Sequence, residues 1–237
     1  MCGINLLIRK NNLREGIQHM MWATAHRGPD HSAFHVHEQQ LAFAGNRLKI
    51  LDMSDASNQP FWSEDRQQVL VWNGALYNYQ DLRNLLLEAG YRFKTNSDTE
   101  VLLYWLTYKG VDGLKACKGM FALAFIDFRS NHVIILRDIS GEKPLYYWNE
   151  GQEWIFSSEQ RGVLAALTNR PAIARDQLEA FFTIRHTLPD QGFFEGITQL
   201  LPGHGLVLDF DGNIIQSVQF LYPLLKVSEL RKILKNY

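Results

Sequence analysis

The stretch that most constrains this chain is GINLLI, which starts at residue 3 of 237. Ile4, Leu6, Leu7 and Ile8 leave neither face of an extended segment polar enough to meet water. The run is therefore expected to be a strand near the middle of a sheet, covered on both sides. Chain ends ordinarily fray, so a terminus that forms a central strand would be held still by its neighbours. The residue held there is Cys2, directly after the initiator methionine.

Further strands are expected in LAFAGNRLKILD and QQVLVWNG, the second stopped by Asn73-Gly74, a common turn pair. FALAFIDFRSNHVIILRD reads as a hairpin turning at Arg129 to Asn131, and PLYYWNEGQEWIFSS as another turning at Asn149 to Gly151. A last hairpin turns at Asp211-Gly212. Helices are expected over Leu13 to Ala25, ended by HRGPD, and over Gln160 to Leu167 and Arg175 to Thr183. In NYQDLRNLLLEAG, Leu82, Leu85, Leu86 and Ala89 make one apolar stripe, with Asn78 as N-cap and Gly90 as stop. In SDTEVLLYWLTYKG, Ser97 and Glu100 have capping-box spacing, and Val101, Leu102, Trp105 and Tyr108 form the buried side. Hairpins and scattered helices without repeat or linker imply one domain over residues 1–237, with antiparallel sheets covered by helices. Residues 224–237 read as a short amphipathic tail, a linker remnant or partner contact.

Charge and cysteine content exclude several classes. A net charge of −1, from 24 basic and 25 acidic residues, gives no long-range attraction to nucleic acid or an anionic membrane. No apolar run reaches the length of a membrane span, and basic residues follow the N-terminal apolar run instead of preceding it as in a signal peptide. The reading is a cytoplasmic protein in which its two cysteines, Cys2 and Cys117, stay reduced. Cys117 reads as a helix residue near a turn. No Gly-rich nucleotide loop or CxxC pair is present. His26, His31, His35 and His37 fall within twelve residues. Imidazole suits zinc, but supporting thiolates or carboxylates are not evident, and no metal site is expected.

Once methionine is removed, Cys2 would carry a thiol and an α-amine on one residue. An α-amine titrates near pH 7.7–8, far below lysine, so a neutral fraction can accept the thiol proton. Position alone also fits an incidental cysteine or a buried strand residue. Asn73 and Gly74 could offer a side-chain amide and a backbone N–H to a developing oxyanion, or form a plain turn. Arg47 and Asp98 supply the cation and anion that an amino-acid head group needs, although surface and capping roles fit them equally.

Taken together, the motifs resemble the glutaminase domain of class II glutamine amidotransferases, an N-terminal-nucleophile hydrolase group, and most closely that of asparagine synthetases. The resemblance rests on MCGI, AHRGPD at 25–30, NRLKILD at 46–52, NQPF at 58–61, NGALYN at 73–78 and FKTNSDTEVLL at 93–103. It continues through GMFALAFID, LRDISGEKPLYY, FSSE at 156–159 and FFEGITQLLPG at 193–203. It implies an α+β fold, a four-layer αββα sandwich of two antiparallel sheets with outer helices. It also implies glutamine as substrate and Cys2 as a nucleophile that forms a thioester, with its own amine as base. Asn73 and Gly74 would make the oxyanion hole, Arg47 would clamp the α-carboxylate, and Asp98 would receive the α-ammonium. Arg27, Gly28, Pro29 and Asp30 would shape the pocket wall.

Two departures stand out. The family usually has glutamate after the Asn-Gly pair, where this chain has Ala75, so Asp98 would carry more of the ammonium. Asparagine synthetases also continue into an ATP-pyrophosphatase-type domain, and this chain has no Ser-Gly-Gly-x-Asp-Ser-like motif. The resemblance therefore implies a separate synthetase partner that captures the ammonia; ATP and Mg²⁺ would act there, with no cofactor in this chain. A catalytically weak scaffold, with Trp148, Trp154 and Phe193 exposed for a partner, is the alternative. A third reading is an N-terminal-thiol amidase for another amide.

Overall fold

The computed structural model describes residues 1–220. The N-terminal run forms β1 (Gly3–Ile8), followed by α1 (Leu13–Ala23), β2 (His31–His37) and β3 (Leu41–Arg47). Next come β4 (Phe61–Trp62), β5 (Gln68–Leu76), α2 (Tyr79–Glu88), α3 (Asp98–Lys109), β6 (Gly119–Asp127) and β7 (His132–Arg137). β8 (Tyr146–Glu150), β9 (Glu153–Ser157), α4 (Gln160–Ala166), α5 (Arg175–Ile184), β10 (Thr198–Gln199), β11 (His204–Asp209) and β12 (Ile214–Gln219) complete the order. One sheet runs β10-β8-β9-β1-β3-β2 and the other β12-β11-β7-β6-β5-β4. Every named strand pairing is antiparallel.

Strand alternation sorts the side chains into layers. Ile4, Leu6 and Ile8 of β1 meet Val69 and Val71 of β5 and Ala122 and Ala124 of β6 in the core between the sheets. The opposite face of the first sheet, through Leu7, Ala42 and Ala44, packs on Leu13, Ile17 and Met20 of α1 and Val163 of α4. Leu70, Trp72, Phe121 and Leu123 of the second sheet pack on Leu82, Leu86, Val101 and Leu102 of α2 and α3. The result is the expected αββα sandwich, with β1 buried along its whole length between β9 and β3.

Several local expectations are corrected. Asn73-Gly74 is not a turn: β5 continues to Leu76, with Asn73 opposite Ala122 and Gly74 opposite Phe121. The glycine serves close approach, since a Cβ there would lie 2.4 Å from the Met120 carbonyl oxygen. α1 ends at Ala23, and a 3₁₀ turn covers Ala25–Arg27. On α2 only Leu82 and Leu86 of the expected stripe are buried, packed against α3 and the second sheet, with Leu85 and Ala89 facing solvent. Tyr108 of α3 is also exposed. Asn78 stands at the N-cap, but its side chain bonds the Ala116 carbonyl and Lys118 N–H instead. Ser97 caps α3 as expected, whereas Glu100 turns to the N–H groups of Lys94 and Thr95. Cys117 lies just past a 3₁₀ segment in extended backbone, where burial pushes its thiol up to about 12. Trp154 is buried and donates to the Gly212 carbonyl, while Trp148 and Phe193 are half-buried, so the three are not an exposed partner surface. The 224–237 tail lies outside the described residues.

Candidate active site

Cys2, Arg47 and Asn73 come from different strands yet share one end of the sandwich. β1 and β3 pair with Gly3 opposite Asn46, which sets Cys2 beside Arg47. Alternation then directs all three toward the space between the sheets: Cys2 follows Ile4 and Leu6, Arg47 follows Leu41 and Phe43, and Asn73 follows Val69 and Val71. A buried polar network on the opposite face locks this register. Asn5 Nδ2 donates to Thr24 Oγ1 at 2.8 Å, Ser157 Oγ donates to Asn5 Oδ1 at 2.8 Å, and Asn46 Nδ2 donates to Ser32 Oγ at 2.8 Å. Ile4 N–H donates to Ser158 Oγ at 3.0 Å, and Ser158 N–H returns to the Ile4 carbonyl. The terminus is held against fraying from both sides.

Cys2 N–H donates to Asn73 Oδ1 at 3.0 Å. The other half of the Asn73 amide, Nδ2, is buried without a partner. A buried donor left unpaired costs about 1–3 kcal/mol, so this one is a candidate to meet a ligand oxygen. A second donor lies beside it. β4 pairs with β5 only at Val69 and Leu70, leaving the later part of that edge open. Trp72 N–H leaves it for Gln59 Oε1 at 2.7 Å, and Leu76 N–H for Asp98 Oδ2 at 3.1 Å. The two-residue period sends Gly74 N–H to the same open edge, between them. Asn73 thus brings one unpartnered side-chain donor next to Cys2 N, and the following residue directs a backbone N–H to the open edge.

The thiol is half-buried, with Sγ 3.9 Å from the Leu48 carbonyl. Burial raises its pKa, opposed by the positive charges of the chain-terminal ammonium, Arg47 and Arg27. Arg47 is held by loop 52–58: Nη1 donates to the Ser54 carbonyl at 2.8 Å and Asn58 Oδ1 at 2.9 Å, and Nη2 to the Asp52 carbonyl. Of the five guanidinium protons these bonds use three, leaving Nε and one Nη2 proton for a carboxylate. Asp98 opens α3, buried with its carboxyl pushed up by that burial against the Leu76, Asp98 and Thr99 N–H groups and the charge of Arg47. The charge of Arg47 favours the ionised form of both Cys2 and Asp98.

The 27–30 stretch is tied to β3 and to Cys2. Arg27 Nε donates to the Cys2 carbonyl at 2.9 Å. Gly28 runs against β3 so closely that a Cβ would lie 2.3 Å from the Asn46 carbonyl. Pro29 bridges to Arg47, and Asp30 accepts from Lys49 N–H at 2.8 Å while its own N–H reaches the Arg47 carbonyl. Pro29 and Asp30 are exposed. Ala75 is half-exposed, directed by alternation to the face that carries Asn73. Among residues not singled out from sequence, Gln59, Asn58 and Ser158 shape the site; the quoted NQPF and FSSE stretches contained them.

The histidines are spread out: His26 lies against Glu159, away from β2. His31, His35 and His37 lie along β2, with His35 against Phe43 and Trp62 and His37 against Phe128 and Phe210. Among the described residues no group of three His, Cys, Asp or Glu side chains is placed to hold a metal ion. A groove of about 830 Å³ passes these histidines, Trp62 and Arg66, and Cys2 is not in its wall. No described helix is long and apolar enough to cross a membrane.

Residues 1–219 match a family model described as the glutamine amidotransferase domain. The chain belongs to that family. Membership makes it an enzyme domain of the class that hydrolyses the amide of glutamine. Over 241 aligned residues it is 30% identical to a putative glutamine-hydrolyzing asparagine synthetase 2 of Methanocaldococcus jannaschii, covering 93% of this chain and 46% of that protein. It is 30% identical to glutamine-hydrolyzing asparagine synthetase 1 of Bacillus subtilis, covering 93% of this chain and 35% of the relative. Among solved structures, glutamine phosphoribosylpyrophosphate amidotransferase from B. subtilis, complexed with ADP and GMP, has a TM-score of 0.65. At 19% identity, covering 93% of this chain and 49% of that one, it shares the fold. The chain thus spans less than half the length of these relatives.

Proposed function

We propose that this domain hydrolyses L-glutamine to L-glutamate and ammonia through a thioester on Cys2, and that an ATP-dependent synthetase uses the ammonia. The observation that carries the reading is the divided Asn73 amide, whose oxygen accepts from Cys2 N while its Nδ2 is buried without a partner. Met1 is exposed, so its removal needs no unfolding, and it converts Cys2 N into an α-amine. That amine takes the thiol proton, and Sγ attacks the amide carbon of glutamine. Asn73 Nδ2 and Gly74 N–H receive the negative oxygen of the tetrahedral adduct. The amine returns the proton to the departing nitrogen, and ammonia leaves the thioester. Water, deprotonated by the same amine, then adds to the carbonyl and releases glutamate and the thiol.

Arg47 positions the α-carboxylate through its two free protons, and Asp98 receives the α-ammonium. Ala75 leaves that ammonium with a single carboxylate. The relatives named as asparagine synthetases support a partner that activates an acceptor acid with ATP and Mg²⁺, either on a separate chain or on further sequence. Ammonia escaping to water would become ammonium, which is not nucleophilic, so delivery to such a partner is the productive route. Glutamate release from glutamine, measured for the Met1-processed protein with and without a co-purified synthetase, tests the reading. The expected result is activity that disappears in C2A; activity that survives in C2A overturns the thioester, and no release in either state overturns the glutaminase.

A further inference from the structure

Glu159 lies at the start of α4, yet its carboxylate makes no cap for that helix. It reaches instead to a residue 132 positions earlier: Arg27 Nη1 donates to Oε1 at 2.8 Å. The same oxygen lies 2.9 Å from His26 Nε2, and Arg161 Nε lies 3.1 Å from Oε2. Arg27 is buried, with 5% of its side chain exposed, and its Nε donates to the Cys2 carbonyl at 2.9 Å. One planar guanidinium therefore spans from the nucleophile's own carbonyl to Glu159. Partial burial pushes the Glu159 carboxyl up, but the hydrogen bonds and charges of Arg27 and His26 outweigh it and lower its pKa. The backbone that carries Glu159 is equally well tied to the site, because neighbouring Ser158 pairs with Ile4 in both directions.

We propose that Glu159 is a positioning residue for the amidase reaction, acting on Cys2 through Arg27. It sets the plane of the guanidinium, and that plane sets the rotation of the Cys2 carbonyl and thereby the direction of the thiol and amine. It touches neither substrate nor thiol. A lysine at position 27 has one point charge in place of a fork and cannot hold both acceptors at the same geometry. The inference rests on Cys2 being the nucleophile, so its test includes a readout that does not need glutamine.

The experiment compares wild type, E159Q, R27K and the double variant, all processed at Met1. E159Q keeps the length of the side chain and an acceptor oxygen, so the fold is expected to survive; a denaturation curve for each protein verifies this. Two rates are read: kcat for glutamine per titratable Cys2 thiol, and iodoacetamide alkylation of Cys2, located by peptide mass and compared with Cys117. Misdirection of a reacting group by about 1 Å costs on the order of 100-fold, and a partial loss of alignment is expected to cost roughly tenfold. E159Q should lower kcat by that factor with KM unchanged, and lower the Cys2 alkylation rate. In the R27K background, adding E159Q should cost nothing further. Additive losses in the double variant, a rise in KM at constant kcat, or unchanged kcat per titratable thiol would each overturn the proposal. If wild type alkylates at Cys2 but releases no glutamate, the glutaminase reading fails while the positioning claim is still decided by alkylation.

Discussion

Replacing Asn73 with alanine separates stability from catalysis, because the two halves of its amide do different things. In the folded chain Oδ1 accepts one hydrogen bond, from Cys2 N, and Nδ2 is buried with no partner. Losing the accepted bond costs about 0.5–1.5 kcal/mol, and removing an orphaned buried donor returns about 1–3 kcal/mol. The balance predicts that N73A unfolds at the same denaturant concentration as wild type or a higher one. Catalysis moves the opposite way. Loss of one oxyanion donor typically lowers kcat by about 10²–10³-fold, or about 2.7–4 kcal/mol. N73D retains the acceptor but loses the donor and should fall by a similar factor, which separates the two functions of the amide. The assay is glutamate release at saturating glutamine beside urea unfolding of each variant. The reasoning is refuted if N73A keeps kcat within threefold of wild type. It is refuted equally if N73A loses more than about 2 kcal/mol of stability, the mark of a structural side chain.

Three further substitutions probe the head-group site and its support. A75E returns a carboxylate to the face beside Asn73 and should lower KM for glutamine by about two- to fivefold at unchanged kcat, the range of a partly exposed ion pair; an unchanged KM would show that position 75 does not meet the ammonium. Burial raises the Asp98 pKa, so acidification neutralises it earlier than an exposed aspartate and KM should climb in weak acid; D98N should show a uniformly high KM without that acid limb. The stability sign is opposite, since the native state binds this proton more tightly than the unfolded chain and Asp98 becomes less costly as pH falls. G28A pushes a Cβ against the Asn46 carbonyl at 2.3 Å and should destabilise the fold by about 1–3 kcal/mol while raising KM through displaced Arg47; wild-type stability would mean the 27–30 stretch is free to move.

The elements were readable wherever the signal was local. The strand at residues 3–8, the hairpin turns, the Ser97 cap and the helix stop at Gly90 appear near their expected positions because each depends on a few neighbouring residues. Local reading failed where a distant partner decides. Leu85 and Ala89 fit the periodicity of α2, but only Leu82 and Leu86 reach the core shared with α3 and the second sheet. Trp154 looked available for a partner until the Gly212 carbonyl, 58 residues away, took its indole N–H.

Asn73-Gly74 shows how a pair that reads as a turn can be strand once its distant partner is in place. As a turn, the pair would offer its donors from a flexible loop. As part of a strand paired with β6 on one side only, it offers them from the edge of a sheet. That edge is open because β4 is two residues long, and Gln59 and Asp98 occupy the N–H groups on either side of Gly74. The arrangement is therefore a sheet edge with one N–H left free, facing a terminus locked by its own strand. Neither feature is encoded near residues 73–74: the first needs the length of β4, and the second needs the register of β1 against β3 and β9. Donors preset on a rigid edge need no reorganisation as charge develops on the oxyanion. A loop carrying the same two residues would have to be ordered first, so the strand placement strengthens the case for catalysis that the motif alone left open.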